Sequence, residues 1–543
     1  MSIYRIAAAA LIVLLCCSMS YALERQEMFN GKDLEGWTVS RCEATVEDGS
    51  LLLKEGNGLV YLEGPYRDFI FEFKWKARDT EMWDSGVYFR CDAPPADGPR
   101  PWPSHYQVNL RKDMEGWVNK LPEARCEGLT KPGEWNEMKL ICIGPAARLE
   151  FNGKVAWEAE GLQIEEGIIA LQAETPGGGQ FEFKDIYLTE LDRKDLFNKK
   201  DLTGWKNINC APSTWWVEEG MIRCTGQPTG QMRTLEQYEN FLIEVEWRHL
   251  KPKGNAGVMV WADGVTAPGV PFCRAVEVQV LDGREGSWYT SDGDVFPIHG
   301  CTMVPENGRN GMRAFPTEKR MKPSPEWNQY RVTCVDGAIS LSVNGKVVTR
   351  GSESSLRKGY ICLESEGSPI DFRNLRVTEL PPSSEPLKDE QIAMEVPNDK
   401  PFIPLYTGVD LAGWKAADGW ASKNWTLAYG GEGSSTMWTE AKFGDFELIA
   451  DVKLPQDADD NHAGIVIGSP DAHELTRIGM RTQGAGKWLR YRIRVEDGKL
   501  STAIGGDELN AVPPGVALPK QAAIGLAAEG GKVEWANLLI REL

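Results

Sequence analysis

The sequence predicts an all-β protein made of three tandem β-sandwiches of the jelly-roll kind, and three observations carry that reading. First, ten residues recur. Residues 28–37 read Met-Phe-Asn-Gly-Lys-Asp-Leu-Glu-Gly-Trp, residues 196–205 Leu-Phe-Asn-Lys-Lys-Asp-Leu-Thr-Gly-Trp, and residues 405–414 Leu-Tyr-Thr-Gly-Val-Asp-Leu-Ala-Gly-Trp. A repeat of this length marks copies of one domain. Second, each copy continues into alternating apolar runs, such as 69–75, 241–247 and 446–452. Period-two alternation rich in aromatic and β-branched residues reads as strand. Third, Gly, Asn and Asp break these runs every few residues and no capped 3.6-period stretch occurs, which fits a sandwich or jelly roll.

In chain order, Arg5 precedes an apolar run from Ile6 to Met19, and Ser20-Tyr21-Ala22 offers small residues at a cleavage site. Residues 1–22 are therefore read as a signal peptide, too short in its apolar part to span a bilayer. The expected location is exported, periplasmic or extracellular. Cys16 and Cys17 raise a lipoprotein anchor as the alternative, against which the bulky Leu14 and Leu15 count. No other segment is a candidate membrane span.

Copy one is assigned to 23–191, copy two to 192–380 and copy three to 401–543. The Pro-, Ser- and acid-rich stretch 381–400 between the last two reads as a linker. Within the copies, Gly133-Glu-Trp-Asn136 matches Pro325-Glu-Trp-Asn328 and, more weakly, Gly486-Lys-Trp-Leu489. Asn152-Gly153 and Asn344-Gly345 are hairpin turns. From the second tryptophan to the copy's end the spacing is nearly constant: 56, 53 and 55 residues (135 to 191, 327 to 380, 488 to 543). From first to second tryptophan it varies: 98, 122 and 74 (37 to 135, 205 to 327, 414 to 488). Extra length on a shared scaffold goes into loops, where function sits. Copy two is thus the candidate active copy and copy three a degenerate one.

The net charge of −19, with 79 acids against 60 bases, excludes a phosphate-backbone partner, so no nucleic acid is expected. The ten cysteines beyond residue 22 fall four in copy one, six in copy two and none in copy three. Even counts in an exported chain suggest disulfides, and buried free thiols are the alternative.

Chemistry concentrates in the long middle of copy two. On the strand Val276-Glu-Val-Gln-Val280, Glu277 and Gln279 share a face and Asp282 stands at the exit. A polar loop to Asp294 follows, then His299, a candidate base near neutral pH. Copy one has Gln107-Val-Asn109 in place of Glu277-Val-Gln279, with His105 and Arg90 nearby, and copy three offers Arg477 and Arg481. Of twenty tryptophans, Trp37, Trp205, Trp414, Trp135, Trp327 and Trp488 recur at equivalent places and read as core. Trp261 and Trp288 lack counterparts and are the candidates for a sugar-stacking surface, with Asp294, Glu364 and Glu366 as further ligand-binding residues. Asp457 to Asn461 lacks the spacing of a calcium loop. No phosphate loop, dinucleotide fingerprint, serine elbow or zinc helix motif is present.

The motif Leu-Phe-Asn-x-x-Asp-Leu-x-Gly-Trp, the Glu-Trp-Asn and Asn-Gly-Lys anchors and Asp371-Phe-Arg-Asn374 together resemble the 3-keto-disaccharide hydrolase (3-ketoglucoside lyase/hydratase) domain family. The resemblance covers nearly all of copy two, most of copy one and, faintly, copy three. It implies a concanavalin-like jelly roll, and cleavage of an oxidised di- or oligosaccharide or glycoside that begins with proton abstraction at C2. It places a polar cluster on Glu277, Gln279, Asp282 and Arg373. Many members carry Leu-Gln-x-His-Gly before the last strand, where this chain has Leu363-Glu-Ser-Glu-Gly367, and His299 is the candidate substitute for that histidine. The implied roles are His299 or Glu277 as base, Arg373 and Gln279 as donors and Asp282 as orienter, all sharing one cleft. No cofactor is required, though a divalent cation is compatible. The alternative is a non-catalytic, lectin-like carbohydrate-binding protein.

Overall fold

The computed structural model of the chain describes residues 25–92, 98–104, 106–283, 291–459, 461–471, 475–482, 484–512 and 518–543. His105, Trp288 and the cleavage region 1–22 lie outside them. The described residues contain no α-helix, only a short 3-10 turn at Asp389–Gln391. No helix there is long and apolar enough to cross a membrane.

Unit two shows the architecture most plainly. Its long sheet runs Trp215–Glu218, Met221–Cys224, Ile370–Glu379, Phe241–His249, Asn328–Val335, Ala338–Val343, Lys346–Ser352. Its short sheet runs Trp205–Asn207, Gly230–Thr234, Tyr360–Ser365, Asn255–Ala262, Ala275–Leu281, Val295–Ile298. Unit three repeats this order in a long sheet centred on Val533–Glu542 and Phe446–Lys453, and a short one of Ser434–Trp438, Ala523–Glu529, Ala463–Gly468 and Thr476–Gly479. In unit one the two layers are continuous, because the strand Ser50–Tyr66 pairs with Phe181–Glu190 in one layer and Gly167–Thr175 in the other.

The core lies between the two sheets. In unit two, Val258, Val260, Val276, Val278, Ile361 and Leu363 of the short sheet pack on Phe241, Ile243, Trp247, Val332 and Phe372 of the long one. Each contributes about 1.5–3 kcal/mol by leaving water. The apolar half of each alternating strand therefore fixes which residues face outward.

The recurring motif has one structural job in all three units. Trp37, Trp205 and Trp414 are buried, and each Nε1 donates to the carbonyl of Met28, Leu196 or Leu405 at 2.7, 2.8 and 2.7 Å. The motif aspartates Asp33, Asp201 and Asp410 accept the backbone N–H of Glu35, Thr203 and Ala412 at 3.1, 2.9 and 3.0 Å, closing the turn. Asn152 and Asn344 take positive φ of 48° each, as a primed hairpin turn demands, and bond across to Asn136 and Asn328.

The second set of tryptophans departs from its expected core role. Trp135 and Trp327 are half-buried platforms for cations: Lys184 sits 4.1 Å above Trp135, and Arg373 3.8 Å above Trp327. A ring that can hold a cation on one face need not be enclosed. The expected disulfides are also absent. All ten described cysteines are free, and eight are buried among apolar strand residues, where burial pushes thiols such as Cys142 up to about 12.

Adjacent units are fastened by buried charge. Between units one and two, Arg331 pairs with Glu160 and Glu244, both at 2.7 Å, inside an apolar ring that includes Ile70, Leu191, Leu242 and Leu380. A hollow of about 250 Å³ lies beside this network. Between units two and three, Asp451 accepts Gly269 N–H at 2.7 Å, both Arg490 donors at 2.8 and 2.9 Å, and Asn537 at 2.6 Å. The segment 381–400 packs on unit two through buried Ala393 and Val396.

Candidate active site

Strand register brings together an acidic face on the outer side of unit two's short sheet. Met259 pairs with Glu277 on one side and Cys362 on the other; Gly257 pairs with Gln279, and Gln231 with Glu364. Their neighbours in sequence point into the core, so these side chains point away from it.

Gly257 is the pivot. A Cβ built there would lie 2.4 Å from Glu364 Oε2 and 3.3 Å from Glu277 Oε1, so both carboxyl groups converge over the one residue without a side chain. Glu364 is fully buried, and among the described residues neither of its oxygens has a hydrogen-bond partner. Glu277 is 6% exposed. Glu366 beyond the strand end accepts from Asn255 Nδ2, and Asn255 Oδ1 in turn accepts from Gln279 Nε2 at 2.7 Å.

The electrostatics follow from this crowding. Burial, then the charge of Glu366, pushes the Glu277 carboxyl up to about 8, with Arg313 opposing and Asp294 adding to the rise. Burial, then Glu277 and Glu366, drives Glu364 up as well. A carboxyl that titrates near the working pH can take a proton at a reacting carbon. Among the described residues no group of His, Cys, Asp and Glu is arranged to hold a metal ion.

The other sequence-predicted residues distribute unevenly. Asp282 is buried at the strand exit and accepts Lys253 N–H at 3.1 Å. Asp294 is buried beside Gln279; it accepts Ser291 N–H at 2.8 Å and the Arg313 guanidinium at 3.2 Å, so it anchors a loop. His299 stands past the end of the edge strand, stacked on Phe272 at 6.4 Å, and only burial moves its titration, downward. It bonds to none of the acidic cluster. Arg373 sits on the outer face of the long sheet, bound to Glu246 at 2.7 Å. Its neighbour Phe372 takes the core, so strand alternation turns Arg373 outward, on the far side of the sandwich. The single cleft expected to hold Glu277, Asp282, His299 and Arg373 is therefore not formed. Trp261, expected on the ligand surface, is fully buried: its Nε1 donates to Glu239 O at 2.8 Å and its ring meets Phe241 edge-on. A positive φ of 52° on its strand turns it inward.

Gly257, Asn255 and Arg313 went unnoticed in the sequence. Gly257 had a signal, because Gly86 and Gly464 occupy the same register position in the other units. Arg313, remote in sequence on an irregular loop, had none.

The three units vary one site. Unit one holds Gln107, Gln172 and Glu174 where unit two holds Glu277, Glu364 and Glu366; Gln107 Nε2 donates to Gln172 Oε1, and Gln172 Nε2 to Glu174 at 2.7 Å. Unit three holds Arg477, Ala527 and Glu529, with Arg477 on Glu529 at 2.7 Å. Only unit two has two facing acids.

Fold and site together define a tandem jelly-roll protein with a buried acidic face in its central unit. The sequence model of the 3-keto-alpha-glucoside-1,2-lyase-like domain matches residues 24–189 and 192–378, and the chain belongs to that family. Two solved structures from Parabacteroides distasonis ATCC 8503, each named a putative glycosyl hydrolase, are 24% and 23% identical over 35% of this chain. The match covers 94% and 100% of those chains, with TM-scores of 0.28 and 0.27. The carbohydrate-binding module CBM66 from Bacillus subtilis is 12% identical over 33% of this chain and 98% of its own, with a TM-score of 0.24. No curated protein matches the chain.

Proposed function

We propose that unit two of an exported protein cleaves 3-keto-glycosides, oxidised di- or oligosaccharides among them, by proton abstraction at C2. The observation that carries this is the convergence of Glu277 and Glu364 over Gly257, in a family that the 3-keto-alpha-glucoside lyase defines. A ketone at C3 acidifies the C2 hydrogen. Glu277, ionised, takes that proton. The electron pair left behind forms the C1–C2 double bond as the C1–O bond breaks, and the departing oxygen gains a proton from solvent. Water then adds across the double bond: its hydroxyl goes to C1, Glu277 returns its proton to C2, and the water's remaining proton replaces the one drawn from solvent. Gln279 and Asn255 hold Glu366 and the strand exit in place. His299, off the cluster, has no part in this scheme.

Unit three is read as a degenerate third copy of the same domain, since it keeps the strand order and the glycine but has lost the acids. For unit one the second reading, carbohydrate binding without chemistry, is favoured by the Gln107–Gln172 pair, which hydrogen-bonds yet has no carboxyl proton to move.

The test is incubation of the full chain with a 3-keto-disaccharide, with the released monosaccharide followed by chromatography. Wild type should release sugar and Glu277→Gln should lose at least ~10²-fold, the usual contribution of a positioned base. Absence of release by wild type overturns the assignment.

A further inference from the structure

Resting on that reading of unit two, we propose that Glu364 is a positioning residue that acts through Glu277: the two acids form a dyad that carries one negative charge, and Glu364 keeps the remaining proton and directs it at the Glu277 carboxylate. Four observations lead here.

Glu364 is fully buried, and neither oxygen meets a donor among the described residues. A carboxylate in such a place would lack the N–H partners that buried anions require. Glu364 and Glu277 each place an oxygen within 3.3 Å of one point above Gly257, so two charges there would repel at close range. The charged and titratable groups acting on the pair are few: Glu366, Cys224, Asp294 and Arg313. Glu366 and Asp294 are themselves acids, and the one cation, Arg313, is held by Asp294. Finally, unit one has replaced both acids with amides, and those amides hydrogen-bond to each other. The two positions are thus close enough for a hydrogen-bonded side-chain pair, which in unit one runs from Gln107 Nε2 to Gln172 Oε1 while Gln172 Nε2 donates to Glu174.

No bond is made or broken by Glu364. When Glu277 is ionised, the Glu364 O–H donates to it and fixes the orientation of the base. When Glu277 takes up the C2 proton, that hydrogen bond weakens and the proton of Glu364 stays where it was. Two facing acids that retain one proton between them are a known arrangement for separating base from donor.

The discriminating variants are Glu364→Gln and Glu364→Leu in the full chain, assayed for turnover of a 3-keto-glucoside from pH 6 to 10. An amide still donates, so Glu364→Gln should keep activity within ~10-fold of wild type and leave the rising limb of the pH profile in place. Leucine cannot donate, so Glu364→Leu should fall further and shift that limb to higher pH. Two results overturn the proposal: a limb lowered by a full pH unit in Glu364→Gln, which means Glu364 was charged, or a loss as deep as in Glu277→Gln, which means Glu364 is the base. Infrared spectroscopy supplies a readout independent of turnover. At pH 9, wild type should show a buried carboxylic-acid carbonyl band that Glu364→Gln lacks. A band in an inert wild type would sink the catalytic assignment and leave the dyad standing; no band removes the dyad whatever the activity.

Discussion

At the scale of single residues, the chemistry of unit two is a matter of which carboxyl gives up its proton first. Glu277 is competent as a base only when ionised. Burial and the neighbouring charge of Glu366 both favour its protonated form, so the rate should rise with pH through about 8. Glu366→Gln removes the larger of the two acidic charges that raise it, Glu366 and Asp294. The rising limb should therefore move to lower pH, read from initial rates across the same range, and a limb that stays put or moves up would contradict the placement of Glu366 beside Glu277. Arg313 works the other way, lowering Glu277 while it anchors Asp294.

At the scale of the element, the site depends on one residue lacking a side chain. The strand Asn255–Ala262 lies between the strands bearing Glu364 and Glu277, and any Cβ at position 257 would meet the Glu364 carboxyl at 2.4 Å. Gly257→Ala should leave the sandwich folded, since the core face of the strand is untouched. It should lower turnover by ~10²-fold or more, as ångström-scale displacement of reacting groups does. Circular dichroism and the sugar-release assay, run together, check both halves. Strand alternation also explains the misplaced expectations. Asp371-Phe-Arg-Asn374 reads as a functional signature, yet Phe372 must enter the core. That sends Arg373 to the opposite surface, where it covers Trp327, while Asn374 and Arg373 both bond Glu246. Trp261, expected on the surface because it lacks a counterpart in the other copies, is instead turned into the core at a residue of positive φ.

At the scale of the whole molecule, buried charged groups join the three units, by an ion pair at the first junction and by the Gly269 N–H bond to Asp451 at the second. Arg331 is 3% exposed and pairs with Glu160 of unit one and Glu244 of its own unit, which Arg193 also holds. Arg331→Ala would strand Glu160 and leave Glu244 to Arg193 alone, and removal of one partner from a buried pair costs about 3–5 kcal/mol. Urea unfolding should show the first transition at lower denaturant, and an unchanged midpoint would mean the interface is wetter than its burial indicates. Asp451 of unit three plays the matching part at the other junction. It clamps the loop through Gly269 that also carries Cys273, whose N–H is accepted by Gln231 at 2.7 Å beside the acidic face. Unit three thus has a structural contact with the wall of the site although its own face carries Arg477 and Ala527.

The sequence by itself determined the all-β class, the triple recurrence, the hairpin turns and the strand that carries Glu277 and Gln279. All of these rest on local periodicity and turn chemistry, which act over a few residues. It also named Glu364 and Glu366 as ligand-binding candidates. Only the tertiary structure decided that Glu364 faces Glu277, that Gly257 makes room for both, and that Arg373 and His299 stand apart. Those outcomes depend on the register between strands some 20 to 100 residues apart in sequence. A shift of one residue would have turned every one of these side chains to the other side of the sheet.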